Sequence, residues 1–203
     1  MWRALLQWLG GIGIVLGFVA LMPSMGMAGK NLLTAESVGV SMDGYQPRIL
    51  EQSRGIIYVY VSLTAACTLL LVPIGGMSWF DAICHAFTCL ATGGYSTRTS
   101  VAKFESLGAE VILTVFMYLG GCSFTVMAAA ARDGWKGFRG MVRTGEFRIY
   151  TLFTVLAVGG VWIDLMRGGM GAGTALRQSS FNVVSMLSCC GYATSDFHAW
   201  PPL

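Results

Sequence analysis

The chain has 203 residues, of which 55% are hydrophobic and only 11% are charged, and its formal net charge is +3. A soluble domain carries roughly 25% charged residues, so this composition is too apolar to cover a surface that faces water. It excludes a cytosolic enzyme, a disordered tail and a nucleic-acid-binding module as leading interpretations. The expected partner is therefore the lipid bilayer, which a helix crosses in about 20 residues, and no nucleic acid.

Charge-free stretches give the candidate membrane spans in chain order. Three are about as long as a bilayer crossing, and a fourth reaches that length only if Asp164 and Arg167 lie at the far interface. The four stretches are residues 4–29, 55–80, 111–131 and 149–163. A signal peptide is the alternative for the first stretch. Its length and the GxxxG spacing of Gly13 and Gly17 favour a packed membrane helix instead.

Two further apolar stretches, residues 82–97 and 178–195, are interrupted early by glycine and hydroxyl residues. Each has only about ten helix-forming residues before its glycine, which is too few to cross a bilayer and suits a re-entrant segment. Asp81 is predicted to cap the first short helix, because a carboxylate is favourable at a helix N-terminus. The polar residues Gln178, Ser179 and Ser180 are predicted to start the second.

The distribution of Lys and Arg predicts the orientation. Five basic residues lie between Arg132 and Arg148, so we place this loop in the cytoplasm. Counting spans backwards puts residues 98–110 outside and residues 30–54 inside, provided that residues 82–97 enter and leave on the same outer side. The chain is therefore expected to cross its membrane several times. The basic loop is also a candidate to bind anionic lipid or a regulator.

An internal repeat has a spacing of 97 residues, since Gly94-Tyr95-Ser96-Thr97 matches Gly191-Tyr192-Ala193-Thr194. Repeats of this kind are common in transporters and channels. Each unit is predicted to contain a span, a short helix and a glycine-aromatic loop. The predicted organisation is a closing span of an earlier unit at 1–29, a cytoplasmic loop at 30–54, a complete unit at 55–131, a basic cytoplasmic loop at 132–148 and an incomplete unit at 149–203.

The short helices and glycine loops together predict a cation site. A helix that enters from outside points the negative end of its dipole at the bilayer centre, and inward-facing carbonyls can replace an ion's hydration shell. Glycine adopts the backbone angles that such a loop requires. The candidate ligands are the backbone carbonyls of Thr92, Gly93, Gly94 and Tyr95 in the first loop and of Cys189, Cys190, Gly191 and Tyr192 in the second. The two tyrosines are expected to pack behind the loops and brace them.

These motifs resemble a known family. The segments at residues 91–97 and 191–197 resemble filter loops of the Trk/Ktr/HKT potassium transporters, and residues 2–14 and 77–87 are most similar to its bacterial TrkH/TrkG branch. The resemblance implies an all-α integral membrane protein with four span–pore–span units around one K⁺ pathway. It further implies a location in a bacterial inner membrane, K⁺ as the transported ion, a cytosolic nucleotide-binding regulator of the TrkA type, and a homodimer at full length.

Two departures from the family pattern are visible. Two of the four filter loops and the closing helix of the third unit are not in this sequence, which predicts a fragment or a protein completed by other copies. The family also usually has threonine where Cys189 and Cys190 stand. The carbonyls survive that change, but hydroxyl coordination does not.

Other functions are less well supported by the sequence. The six cysteines form no Cys-x-x-Cys pair and lack the spacing of a zinc site, so most are expected to be small buried hydrophobes. An intramembrane thiol enzyme would need Cys190, Asp196 and His198 to converge. The preferred interpretation is that the chain is not an enzyme. The main alternative to transport is a non-transporting membrane scaffold or remnant.

Overall fold

The computed structural model describes residues 1–14, 16–17, 45–98, 101–104 and 106–194, and every regular element in these ranges is helical. The all-helical prediction is therefore confirmed. Residues 2–14 form α1, with 16–17 also helical. The other helices are α2 (Tyr45–Leu71), α3 (Trp79–Leu90), α4 (Leu107–Gly120), α5 (Phe124–Arg132), α6 (Gly134–Arg143), α7 (Gly145–Arg167) and α8 (Ala172–Leu187), with a short 3₁₀ turn at Val101–Phe104.

Helices α2 and α7 are long and apolar enough to cross a membrane, over Ser53–Leu71 and Gly145–Arg167. Helix α7 continues past residue 163 to Arg167, as the fourth candidate span required. One side of α7 carries large apolar residues that nothing in the structure covers: Ile149, Leu152, Phe153, Val155, Leu156 and Ile163. Exposed to water, this much apolar surface would be unfavourable at about 25 cal/mol per Å², so this face requires an apolar environment, such as lipid or another helix.

The boundaries of the second span differ from the prediction. Helix α2 begins at Tyr45, so the last ten residues of the predicted loop 30–54 are helical. Helix α2 ends at Leu71 because Pro73 cannot continue a helix and because Gly76 has a φ of +66°. The next helix starts at Trp79. The predicted first span beyond residue 17, together with residues 30–44, lies outside the described residues.

The third predicted span, residues 111–131, is not one straight helix. Helices α4 and α5 meet at a bend of 94°. The bend follows Gly120 and Gly121, which have low helix propensity, and α5 restarts after its N-cap residue Ser123. A charge-free pattern reports that a segment is apolar, but it contains no information on whether the segment is straight.

Contacts between helix ends place α2 and α4 antiparallel. A Cβ on Gly108, at the start of α4, would lie 2.4 Å from the carbonyl oxygen of Ile74, just beyond the end of α2. At the other end, a Cβ on Gly55 would lie 3.4 Å from Ala128 in α5. The start of α2 and the basic segment after α5 are thus at the same end of the molecule, as the predicted orientation requires.

Candidate filter site

The first short helix, α3, has 12 residues, or about 18 Å at 1.5 Å per residue, which is well short of a bilayer core of about 30 Å. Its N-cap is Ser78 rather than Asp81, because the Ser78 hydroxyl accepts a hydrogen bond from the Asp81 backbone N–H at 3.2 Å. Asp81 lies in the first turn, where its carboxylate accepts hydrogen bonds from Ser78 at 2.9 Å and Thr97 at 2.6 Å. The Thr97 contact brings the end of the loop back to the start of the helix, which confirms re-entrance.

The two hydroxyl bonds also set the ionisation of Asp81 at this outer end of α3. Partial burial raises its pKa, but the hydrogen bonds from Thr97 and Ser78 outweigh that effect, so the pKa lies below its ordinary value. Asp81 is therefore held as an anion that anchors the returning loop.

The second short helix, α8, is longer than predicted. It has 16 residues and begins at Ala172 after Gly171 as its N-cap, so Gln178, Ser179 and Ser180 lie in its second and third turns and do not start it. Its outer half is tied to α4 by a bidentate ion pair, in which Arg177 donates to the two carboxylate oxygens of Glu110 at 2.6 and 2.8 Å. Glu110 is buried, with 5% of its surface exposed.

Both short helices end in the same hydrogen-bonded turn. The N–H of Thr92 donates to Cys89 O and that of Gly93 to Thr88 O, and 97 residues later Cys189 donates to Met186 O and Cys190 to Ser185 O. This pattern is a Schellman motif, in which glycine is the usual residue at the left-handed position. Here Thr92 and Cys189 hold that position, with φ values of +51° and +58°. Each costs about 1–2 kcal/mol in backbone strain, and strain of this kind clusters at functional sites.

Beyond the turn, each loop is pinned along its own helix by a hydroxyl group. Thr88 donates to the carbonyl of Tyr95 at 2.9 Å, and Ser185 donates to the carbonyl of Tyr192 at 2.7 Å. These bonds occupy one lone pair of each tyrosine carbonyl and fix its direction. Coordination of a cation by Tyr95 or Tyr192 would have to use the remaining lone pair.

The two loops touch each other. The carbonyl oxygen of Cys190 lies so near the Gly94 backbone that a Cβ on Gly94 would be 1.8 Å from it. The Tyr192 side chain is 2% exposed and inserts into the first unit, where its hydroxyl lies 2.5 Å from that of Thr88 and its ring stacks on His85. Tyr192 therefore braces the site from behind, as predicted.

Tyr95 differs from its counterpart, because its side chain is 48% exposed. The guanidinium carbon of Arg3 lies 4.2 Å from the centre of its ring, a cation–π contact with α1. The predicted bracing role is thus seen at Tyr192 and not at Tyr95 within the described residues. The expectation assumed the same surroundings for both tyrosines, but within the described residues Tyr192 packs against α3, whereas Tyr95 contacts Arg3 of α1.

The structure brings the eight predicted ligand residues together in two adjoining turns. Gly94, Tyr95, Gly191 and Tyr192 line a cleft of about 290 Å³. A Cβ on Gly93 would lie within 2.9 Å of the Gln7 side chain of α1. Their role as ligands remains a prediction.

All six cysteines are in the described part of the chain, and only Cys189 is exposed. The expectation of small buried hydrophobes therefore holds for the other five. The Cys190 thiol is directed at the carbonyl of Thr88, at 3.9 Å. The other two residues considered for a thiol enzyme, Asp196 and His198, lie outside the described residues.

A second repeated feature joins successive units. The triplet Leu-Gly-Gly occurs at residues 9–11 and 119–121. Gly11 packs against the Tyr60 hydroxyl and Ala91, and Gly121 packs against the Tyr150 hydroxyl and Ser188. Tyr60 donates to the carbonyl of Trp8 at 3.2 Å, and Tyr150 donates to that of Tyr118 at 3.4 Å. Helix α1 therefore contacts the unit of residues 55–131 in the same way as α4 contacts the unit of residues 149–203. This likeness supports the interpretation of α1 as the closing helix of an earlier unit.

Sequence reasoning missed several residues that hold the site. Thr88 and Ser185, which are 97 residues apart, hold the two loops through their hydroxyl groups. His85 and Asn182 bond to the returning loops, and Gln7 contacts the first turn. The signal available in the sequence was the 97-residue spacing, which also separates His85 from Asn182.

Paired re-entrant helices, capped by strained loops that touch within an apolar helical body, define a helical membrane transport protein. The family model described as "TrkH: Cation transport protein" matches residues 1–203. The chain belongs to this family. Its members are cation transporters and not enzymes, and the resemblance found in the sequence is confirmed.

Individual relatives agree with the family match. The chain is 33% identical to the Trk system potassium uptake protein TrkH of Escherichia coli K12 and 29% identical to TrkG of that organism, covering 98% of this chain in both cases. The crystal structure of the potassium transporter TrkH from Vibrio parahaemolyticus matches with a TM-score of 0.82 at 32% identity, over 98% of this chain and 40% of that one. The chain spans 42% of the length of the E. coli TrkH protein.

Proposed function

We propose that this chain contributes two filter segments to a K⁺ uptake pathway across a bacterial inner membrane. The observation that carries the proposal is the contact between two equivalent loops, each following a short re-entrant helix, with Cys190 O against Gly94. Relatives over nearly the whole chain are named Trk system potassium uptake proteins. The names of the relatives support K⁺ uptake, and the loop contact supports this site for it.

The proposed ligands are backbone carbonyls at residues 92–94 and 189–191, with Tyr95 and Tyr192 contributing through their free lone pairs. Neither loop contains a carboxylate, so selection rests on carbonyl oxygens that replace the hydration shell of K⁺. The C-terminal dipoles of α3 and α8 add partial negative charge where the loops begin. The strained Thr92 and Cys189 positions direct the chain away from each helix axis and into the loop.

The proposed assembly follows the rest of the family resemblance. The chain would cross the membrane several times with its basic segment, Arg132 to Arg148, on the cytoplasmic side. That side would contact a nucleotide-binding regulator of the TrkA type, and the full-length protein would form a homodimer. Supporting this orientation, the start of α2 and the basic segment lie at one end of the molecule.

The test is growth of a bacterium that lacks its own K⁺ uptake systems. The full-length gene product should restore growth at low external K⁺ and should take up ⁸⁶Rb⁺, with K⁺ competing better than Na⁺. The same protein reconstituted in liposomes should conduct Rb⁺. A well-expressed protein that supports neither growth nor Rb⁺ flux would contradict transport and favour the scaffold alternative.

A further inference from the structure

Besides the hydroxyl group of Thr88 or Ser185, each pore helix carries a larger buried polar side chain that reaches its returning loop. In α3 this residue is His85, whose Nδ1 lies 2.7 Å from Asp81 O and whose Nε2 lies 2.9 Å from Ser96 Oγ. In α8 it is Asn182, whose amide donates to Gln178 O at 2.8 Å and to Thr194 Oγ1 at 3.1 Å. The Asn182 amide oxygen also accepts from the Thr194 N–H at 3.3 Å.

The two residues make similar connections with different chemistry. Both bond to the carbonyl four residues earlier in their own helix, and both bond to the loop just beyond its tyrosine: His85 to the first residue after Tyr95, and Asn182 to the second residue after Tyr192. They are 97 residues apart, as are the two loops. Packing alone would not require a polar group at either position, because His85 is fully buried and Asn182 is 2% exposed. A buried polar group is unfavourable unless it is hydrogen-bonded.

The hydrogen bonds define one orientation of the His85 ring. A carbonyl oxygen only accepts, so Nδ1 carries the proton that bonds to Asp81 O, and Nε2 accepts from the Ser96 hydroxyl. Ser96 in turn accepts from the Arg98 N–H at 3.1 Å. The ring is held between Tyr192 and Phe104, with centroid distances of 5.9 and 5.1 Å. His85 thus joins the first helix, the first loop and the bracing tyrosine of the second loop.

We propose that His85 and Asn182 are positioning residues that determine cation selectivity. Each fixes the height of a returning loop against its pore helix, and thereby the spacing of the carbonyls at residues 92–94 and 189–191. This inference rests on the proposed function and adds to it two selectivity-determining residues that do not touch the ion. Its physical basis is that selection between K⁺ and Na⁺ depends on the size of the carbonyl cage and on the number of its oxygen atoms, both of which change when a loop shifts.

The test uses the full-length gene product and compares selectivity with uptake rate. His85→Leu removes both hydrogen bonds while keeping an apolar side chain in the core, and His85→Gln restores a polar group near Nε2. The readouts are ⁸⁶Rb⁺ uptake at matched protein amounts and its inhibition by K⁺ and by Na⁺. The loss of the hydrogen bond to the loop residue Ser96 predicts that His85→Leu lowers the preference for K⁺ over Na⁺ by about 3- to 10-fold, whereas His85→Gln stays within about 2-fold of wild type.

The partner residue supplies a second, independent variant. Ser96→Ala should lower the preference for K⁺ as His85→Leu does, and the double variant should be no worse than either single one, because both remove the same bond. Thr154→Val is the matched control. It deletes a buried hydrogen bond, 2.8 Å from Thr154 Oγ1 to Tyr150 O, that lies within α7 and does not join a pore helix to its loop. Its selectivity should equal that of wild type.

The outcomes separate this inference from the proposed function. A wild-type protein that does not prefer K⁺ overturns the proposed function itself. A selective wild type whose preference is unchanged in both His85→Leu and Ser96→Ala overturns the positioning role alone. Additive losses in the double variant, or a His85→Gln variant as impaired as His85→Leu, would also overturn it. Should His85→Leu fail to accumulate in the membrane, Ser96→Ala and His85→Gln still decide the matter.

Discussion

The contact between the two filter loops can be tested by replacing two glycines that differ in one respect only. Gly94 and Gly191 both have a positive φ, +62° and +83°, so alanine at either costs about 1–2 kcal/mol in backbone strain. A Cβ on Gly191 would meet nothing within 4 Å, whereas one on Gly94 would lie 1.8 Å from Cys190 O. An approach below 3 Å to a backbone atom requires the loops to separate, which adds about 1–3 kcal/mol as overpacking does.

We therefore expect Gly94→Ala to destabilise the protein by about 2–5 kcal/mol and Gly191→Ala by about 1–2 kcal/mol. The assay is the thermal unfolding of the purified full-length protein in detergent, with and without K⁺, together with K⁺ against Na⁺ competition for ⁸⁶Rb⁺ uptake. Gly94→Ala should show the larger loss in both measurements. Equal effects of the two substitutions would show that the loops do not touch, and the reasoning would then be wrong.

Three further results are expected from the same protein. Arg177→Met should destabilise the folded protein by about 3–5 kcal/mol, because it leaves the buried Glu110 carboxylate without its partner. Adding Glu110→Gln to that variant should recover part of the loss in thermal unfolding, and no recovery would contradict the pairing. Tyr150→Phe should cost about 1 kcal/mol through the lost hydrogen bond to a main-chain carbonyl, and an unchanged unfolding temperature would count against that contact. A small water-soluble thiol reagent should label Cys189 and leave Cys190 unmodified in mass spectrometry of the folded protein; labelling of Cys190 would mean that its thiol is not buried behind the loop.

The sequence was informative wherever a local pattern determines the structure. The short helices before Gly94 and Gly191 could be predicted because glycine ends a helix and because a repeat at equal spacing is improbable in unrelated loops. The extension of the last span to Arg167 followed from the tolerance of an interfacial charge. The bend after Gly120 could not be predicted, since glycine pairs also occur within straight membrane helices.

Long-range pairings were also beyond the sequence. Nothing local indicates that Glu110 and Arg177, 67 residues apart, form an ion pair, or that Tyr192 enters the first unit. A carboxylate is favourable at a helix N-terminus, which predicts Asp81 as the N-cap of α3. In the structure Ser78 is the N-cap, and Asp81 accepts a hydrogen bond from the returning loop. The choice between them depends on where the chain turns, which composition does not specify.

The two Leu-Gly-Gly contacts have a practical consequence for recombining this protein with its relatives. Because the helix that completes one unit supports the pore turn of the following unit, a crossover placed between the units would separate Gly121 from Tyr150 and Ser188. If the exchanged segment starts upstream of Leu119, Gly121 and its contacts come from the same parent protein. Hybrids of this kind should accumulate in the membrane at higher levels than hybrids whose crossover lies within residues 132–148.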